Sequence, residues 1–255
     1  MCGRYVLKAK PADLIKVFWL DECVDLKPRY NIPPGTDIAA IRQSPEGKRV
    51  LHALRWGLVP NWAKDPSIGN KLNNARGETV TEKPSFRDAF KRRRCLIPAD
   101  GFYEWKSKGE GKAKTKQPYF ICLKSQAPFA MAGLWESWKT PEGEILRTCC
   151  VITTGPNTVV EPIHDRMPVI VAPQDWQRWL AAPVEEVEEL IRPYVPEDMQ
   201  AWPVDRRVSR TGEDDPELIK PKVTLEDMMA EITPGTRFEE IDLGPDVGLE
   251  AWPHQ

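Results

Sequence analysis

The sequence predicts one α+β domain: a mixed, mainly antiparallel, barrel-like β-sheet core flanked by helices. Three observations lead there. Short runs rich in β-branched and aromatic residues recur at close spacing, separated by polar turns. Helical periodicity is confined to a few segments that do not alternate with these runs, which argues against a parallel doubly wound sheet. The 25 prolines among 255 residues are scattered, so they punctuate short elements and mark no linker.

In chain order, residues 11–20 read as an amphipathic helix, with Leu14, Val17 and Phe18 on one face and Pro11 in the first turn. Residues 37–41 and 49–55 read as strands joined by a Ser-Pro-Glu-Gly turn, and 85–92 as a short helix. Strand-like runs follow at 95–97, 101–105, 119–123, 129–134, 145–153 and 168–171. Segments 174–181 and 184–191 read as helices, the second with an acidic outer face. A last strand is expected at 202–208 and a last helix at 225–232. The expected domain spans 1–235, and 236–255 form an acidic tail.

Composition narrows the function classes. A chain that is 41% hydrophobic, with 10 tryptophans, is too apolar for disorder. No apolar run approaches the roughly 18 residues of a membrane span, and MCGRYVLKAK lacks an apolar signal core. A cytoplasmic protein with no membrane partner is therefore expected. The 6 cysteines form no C-x-x-C and no zinc spacing, so free thiols and no metal are expected. Walker, G-x-G-x-x-G, G-x-S-x-G and H-E-x-x-H motifs are absent, and no cofactor is expected. The net charge of −2 conceals an asymmetry: residues 1–120 carry 24 basic and 13 acidic side chains, and the remainder reverses the balance. From charge alone two readings stand: both halves fold together with their charges solvated, or the chain has a polyanion-binding face or an acidic tail.

Several residues carry chemistry. Removal of Met1 would leave Cys2 with a free α-amine and a thiol on adjacent carbons, a 1,2-aminothiol. Such a group condenses with an aldehyde to a thiazolidine, or its thiolate attacks an amide as in N-terminal-nucleophile hydrolases. Gly3 lets the terminus bend, and Arg4 offers a cation for an anionic substrate. Asn74 and Arg76, two apart in KLNNARGET, share a face on an extended segment. Glu104 lies between Tyr103 and Trp105, which fits either a carboxyl of raised pKa suited to acid–base work or a solvent-facing glutamate on an alternating strand. Of 3 histidines, His164 sits where a polar His-Asp-Arg cluster, including Arg166, meets an apolar run. Cations and rings interleave through Trp56, Trp62, Arg76, Phe86, Arg87, Phe90 and the run 91–94, a pattern suited to single-stranded nucleic acid. The lysine-rich stretch 106–116 reads equally as a basic hairpin or a solvated loop.

Taken together, MCGRY, YNIPPG, RWGLVPNWA, NNAR, CLIPADGFYEW and IHDRMPVIV, in this order over about residues 2–210, resemble the SRAP family of SOS-response-associated peptidases, abasic-site processing proteins. The resemblance implies one α+β domain whose N-terminal cysteine crosslinks covalently to abasic sites in single-stranded DNA. It implies Cys2 as nucleophile, with Asn74, Glu104 and His164 as active-site partners. Arg4, Arg76 and Arg166 are implied near DNA phosphates. Trp62 and Phe86 fall in segments used near bases, with Arg87 beside them on the basic face. A monomer acting at the bacterial nucleoid is implied. Thiol peptidase activity, including autoproteolysis, and noncatalytic strand binding stand as the competing readings. Gly77, where alanine or serine is expected, is a departure from the family pattern.

Overall fold

Five strands close into a barrel in the computed structural model, which describes residues 2–109 and 115–222. In chain order, β1 (Tyr5–Leu7) precedes helix α1 (Pro11–Phe18), followed by β2 (Glu22–Cys23), β3 (Arg29–Ile32), β4 (Asp37–Gln43), β5 (Arg49–Trp56) and β6 (Asn74–Arg76). Helix α2 (Arg87–Arg92) leads into β7 (Arg94–Ala99), β8 (Gly101–Lys108), β9 (Thr115–Leu123), β10 (Phe129–Lys139) and β11 (Ile145–Thr154). Then come β12 (Met167–Pro168), β13 (Ile170–Val171), α3 (Trp176–Ala181), α4 (Val184–Val187) and β14 (Met199–Pro203).

The barrel runs β11-β10-β7-β4-β5 with antiparallel neighbours. β5 returns to β11 in parallel, with Thr148 beside Arg55 and Cys149 beside Trp56, which closes the ring and makes it mixed, as the sequence predicts. Burial follows the period of two on β5, where His52, Leu54 and Trp56 face inward while Ala53 and Arg55 are exposed. β7 is buried at every residue, which is why it reads as a continuous apolar run. A second, antiparallel sheet, β14-β9-β8-β1-β3, carries the N-terminal strand.

Several expected boundaries move. Helix α1 stops at Phe18 because Trp19 adopts a left-handed conformation, φ 50°. The run 168–171 divides: β12 pairs with β11 and β13 with β10, and Val169 between them donates its N–H to Ile152 O and accepts from Ala132 N–H. Segment 184–191 is α4 plus a 3₁₀ turn, Glu188–Leu190. The last strand is β14, not 202–208, because the Asp205 side chain caps a 3₁₀ turn over Arg206–Ser209. The expected helix at 225–232 and tail from 236 lie outside the described residues. Among the described residues no helix is long and apolar enough to cross a membrane.

The basic run 91–94 also divides. Arg94 is buried and donates from Nε to Trp179 O at 2.6 Å, from Nη1 to Phe90 O at 2.7 Å, and from Nη2 to Ala182 O. Arg93 pairs with Glu136. These two arginines tie α2, α3 and β10 together and leave Lys91 and Arg92 on the surface.

Candidate active site

The N-terminal segment reaches the site along β1, which pairs with β8 through Tyr5–Phe102 and Val6–Gly101. Tyr103 N–H donates to Arg4 O at 2.9 Å, so the ladder continues toward Cys2 on one strand and Glu104 on the other. Two features hold this junction. Buried Asp100 accepts from Lys8 N at 2.6 Å and Ala9 N at 2.9 Å, anchoring the chain between β1 and α1. At Gly101 a Cβ would lie 2.3 Å from the Phe120 ring, so only glycine lets β8 pass under that ring.

Cys2 is fully buried. Its carbonyl accepts from Asn74 Nδ2 at 2.8 Å. Asn74 opens β6, which lies parallel to β11 with Asn74 beside Val151. Its Oδ1 is buried and has no hydrogen-bond partner among the described residues. Burial first, then the charge of Glu104, push the Cys2 thiol far above the ordinary cysteine range.

Glu104 is 2% exposed, and burial pushes its carboxyl up to about 7. Its Oε2 lies 3.6 Å from His164 Nε2. His164 Nδ1 lies 3.0 Å from Arg166 N–H and 2.9 Å from Asp165 Oδ1. These two contacts demand opposite tautomers. The Arg166 N–H is a fixed donor, whereas the Asp165 side chain is 88% exposed. The backbone bond therefore decides: Nδ1 accepts, and the ring proton sits on Nε2, toward Glu104. Burial lowers the His164 pKa, keeping the ring neutral near pH 7.

Arg166 is brought to the same place but is occupied. Its guanidinium forks onto Glu78, with Nη2 to Oε2 at 2.9 Å, and donates to Thr153 O at 2.7 Å and Thr153 Oγ1 at 3.1 Å. Arg4 donates to Asn31 Oδ1 at 2.8 Å and Val208 O at 3.3 Å. Asn31 in turn donates to the carbonyls of Val208, Arg210 and Glu213. Arg76 shares the Asn74 face of β6, is exposed, and makes no hydrogen bond or ion pair among the described residues. Trp62 is 53% exposed, its Nε1 3.4 Å from Pro84 O. Arg87 is exposed, 4.0 Å from Asp88. Phe86 is buried at the start of α2 and joins the core, so its ring backs this surface.

Sequence reasoning missed Glu78, Thr153 and Asn31, whose roles depend on partners distant in the chain. It also missed the reach of Lys116, whose charge acts on both Glu104 and His164. The departure at Gly77 has a local reason: a Cβ there would lie 2.2 Å from Ile191 Cγ2. Among the described residues no group of three His, Cys, Asp or Glu is placed to hold a metal, and all six cysteines are free.

The chain resembles several known proteins. The chain is 45% identical over 226 residues to the abasic site processing protein YoqW of Bacillus subtilis, covering 86% of this chain and 99% of that one. It is 31% identical over 266 residues to the abasic site processing protein HMCES of Xenopus tropicalis, covering 86% and 78%. A solved Bacteroides thetaiotaomicron protein superposes with a TM-score of 0.78 at 26% identity, covering 87% of this chain and all of that one. A phage-related protein of Bordetella bronchiseptica superposes at 0.65 with 30% identity, covering 80% and 95%. The family model described as SOS response associated peptidase (SRAP) matches residues 1–211, and the chain belongs to the SRAP family.

Proposed function

We propose that this protein processes abasic sites in single-stranded DNA by forming a thiazolidine crosslink through Cys2 once Met1 has been removed. The observation that most supports this is the meeting of Cys2, Asn74, Glu104 and His164 from four separate parts of the chain. Two relatives named for abasic-site processing support the substrate.

An abasic deoxyribose equilibrates between a closed ring and an open aldehyde. His164 Nε2–H hydrogen-bonds the ring oxygen as the sugar opens, and the proton that oxygen takes is the one the Glu104 carboxylate lifts from the C1′ hydroxyl. The Cys2 amine attacks C1′, water leaves, and an imine forms. The sulfur then adds to the imine carbon while the thiol proton ends on nitrogen, closing the five-membered ring. Overall one water is lost. Glu104, with a pKa of about 7, both accepts and returns protons near neutrality. Its charge and the burial of Cys2 keep the thiol protonated until ring closure. Asn74 holds the Cys2 main chain, and its free Oδ1 is available to the amine.

Arg76, Arg87 and Lys116 would meet phosphates, and Trp62 would stack on a base. Arg4 and Arg166 would contribute through the donors their internal partners leave free, while fixing the N-terminal strand and the His164 loop.

The test is incubation with an abasic single-stranded oligonucleotide followed by a denaturing gel. A heat-stable shifted band that Cys2→Ala abolishes is the expected result. An equal band from Cys2→Ala would refute the reading. Cys2-dependent hydrolysis of added peptide, with no band, would favour a thiol peptidase. Retention of DNA only under native conditions, unchanged in Cys2→Ala, would favour a noncovalent binder.

A further inference from the structure

The barrel has two mouths, and the site above uses one. β6, β12 and the His164 loop gather at the Thr153 end of β11. Six residues earlier, roughly 20 Å away at about 3.3 Å per residue, Arg147 stands near the other end of that strand. A separate cavity of about 470 Å³ opens there, lined by residues of β4, β5, β10, α3 and the 44–45 turn.

Register places a set of side chains on one inward face. Ala40 pairs with His52 and Arg42 with Val50, so Arg42 and His52 share a face with Leu54 and Trp56. Trp135 pairs with Cys149, which lies beside Trp56, and Arg147 is two residues from Cys149 on that same face. Arg42 is half-buried with its guanidinium 4.2 Å over the Trp135 ring. Neither the Arg42 nor the Arg147 side chain makes a hydrogen bond or ion pair among the described residues, and Arg42 Nε is buried without a partner. Burial, then Arg147, lower the Arg42 pKa. Burial, then Arg42 and Arg147, lower that of His52, with Glu22 opposing.

Arg42 lines the cavity and Arg147 stands exposed beside it on the same face; no carboxylate lines the cavity, so two guanidinium groups set this way are unfavourable at a part-desolvated mouth, and an anion between them reverses the sign. Two forks and an imidazole suit an anion with several oxygens, which favours phosphate over a single carboxylate. The cavity is larger than phosphate alone requires, and beside Gln43 and Ser44 its wall offers the apolar side chains of Pro45, Val50 and Leu180.

We propose that this mouth of the barrel is a binding site for a phosphate monoester of nucleotide size, its phosphate on Arg42 and Arg147 and its apolar part against Pro45, Val50 and Leu180. The site is independent of the crosslinking reading.

The experiment titrates the full chain with deoxyadenosine 5′-monophosphate and follows the Trp135 indole N–H resonance, assigned with Trp135→Phe. A saturable shift is expected, weakened about tenfold or more in Arg42→Gln and in Arg147→Gln, since each removes a charge-assisted contact. Arg147 is exposed, so its variant tests the site without disturbing the fold. Competition by an undamaged oligonucleotide bearing a 5′-phosphate would assign the site to DNA ends, and its failure would assign it to free nucleotides. No saturable shift, or unchanged affinity in Arg147→Gln, would overturn the proposal.

Discussion

Replacing Glu104 by glutamine tests the electrostatics of the site apart from its reactivity. The carboxyl is 2% exposed, and its pKa rises from an ordinary 4.5 to about 7. Because the folded pKa is the higher one, the native state holds this proton more tightly than the unfolded chain does. Its favourable contribution is fully present below pH 4.5 and is lost as pH rises through 7. At about 1.36 kcal/mol per pKa unit, the wild type loses about 2–3 kcal/mol more than Glu104→Gln does between pH 5 and pH 8. Glutamine keeps the shape and carries no titrating proton. The assay is urea unfolding of both proteins at intervals across that range. Titrating groups outside the site are common to the two and cancel in the difference. The stability of Glu104→Gln relative to wild type should climb with pH and level off above 7. A difference that stays constant from pH 5 to pH 8 would refute the claim that burial governs this carboxyl.

Two further outcomes follow from neighbouring residues. Arg76 is exposed and unpaired on the Asn74 face, so Arg76→Ala should reduce the slope of log affinity against log salt for single-stranded DNA by about 0.7, the value for one phosphate contact; an unchanged slope removes Arg76 from the interface. Gly77→Ala would push a methyl to 2.2 Å from Ile191 Cγ2, so it should cost about 1–3 kcal/mol by chemical denaturation. Most of that cost should vanish when the same change is made in an Ile191→Ala background, and equal costs in both backgrounds would assign it to the backbone instead.

The strands that bury a whole face were legible because their pattern is local. The 49–55 run alternates as β5 does, and the apolar stretch after Arg94 is buried on both sides. β1, β2 and β3 span two to four residues, too short for periodicity to register, and exist because β8 receives β1, β1 receives β3 and β5 receives β2. Barrel closure rests on two pairs between β5 and β11, nearly a hundred residues apart, which no local pattern announces. Within the site, the residue types announced their chemistry: a second-position cysteine, a glutamate between aromatics and a histidine at a polar–apolar boundary. Their supports did not. Glu78 reads as an ordinary surface acid until Arg166 is seen to fork onto it. Arg94 reads as one of a basic run until four carbonyls surround its guanidinium.

The central claim is that the Cys2 amine and thiol together take up the abasic aldehyde. The most direct test is the intact mass of the product formed with an abasic oligonucleotide. The expected mass is that of the chain lacking Met1 plus the oligonucleotide, less one water, with no free Cys2 thiol left to alkylate. An adduct that retains Met1, or one in which Cys2 still reacts with an alkylating reagent, would contradict it.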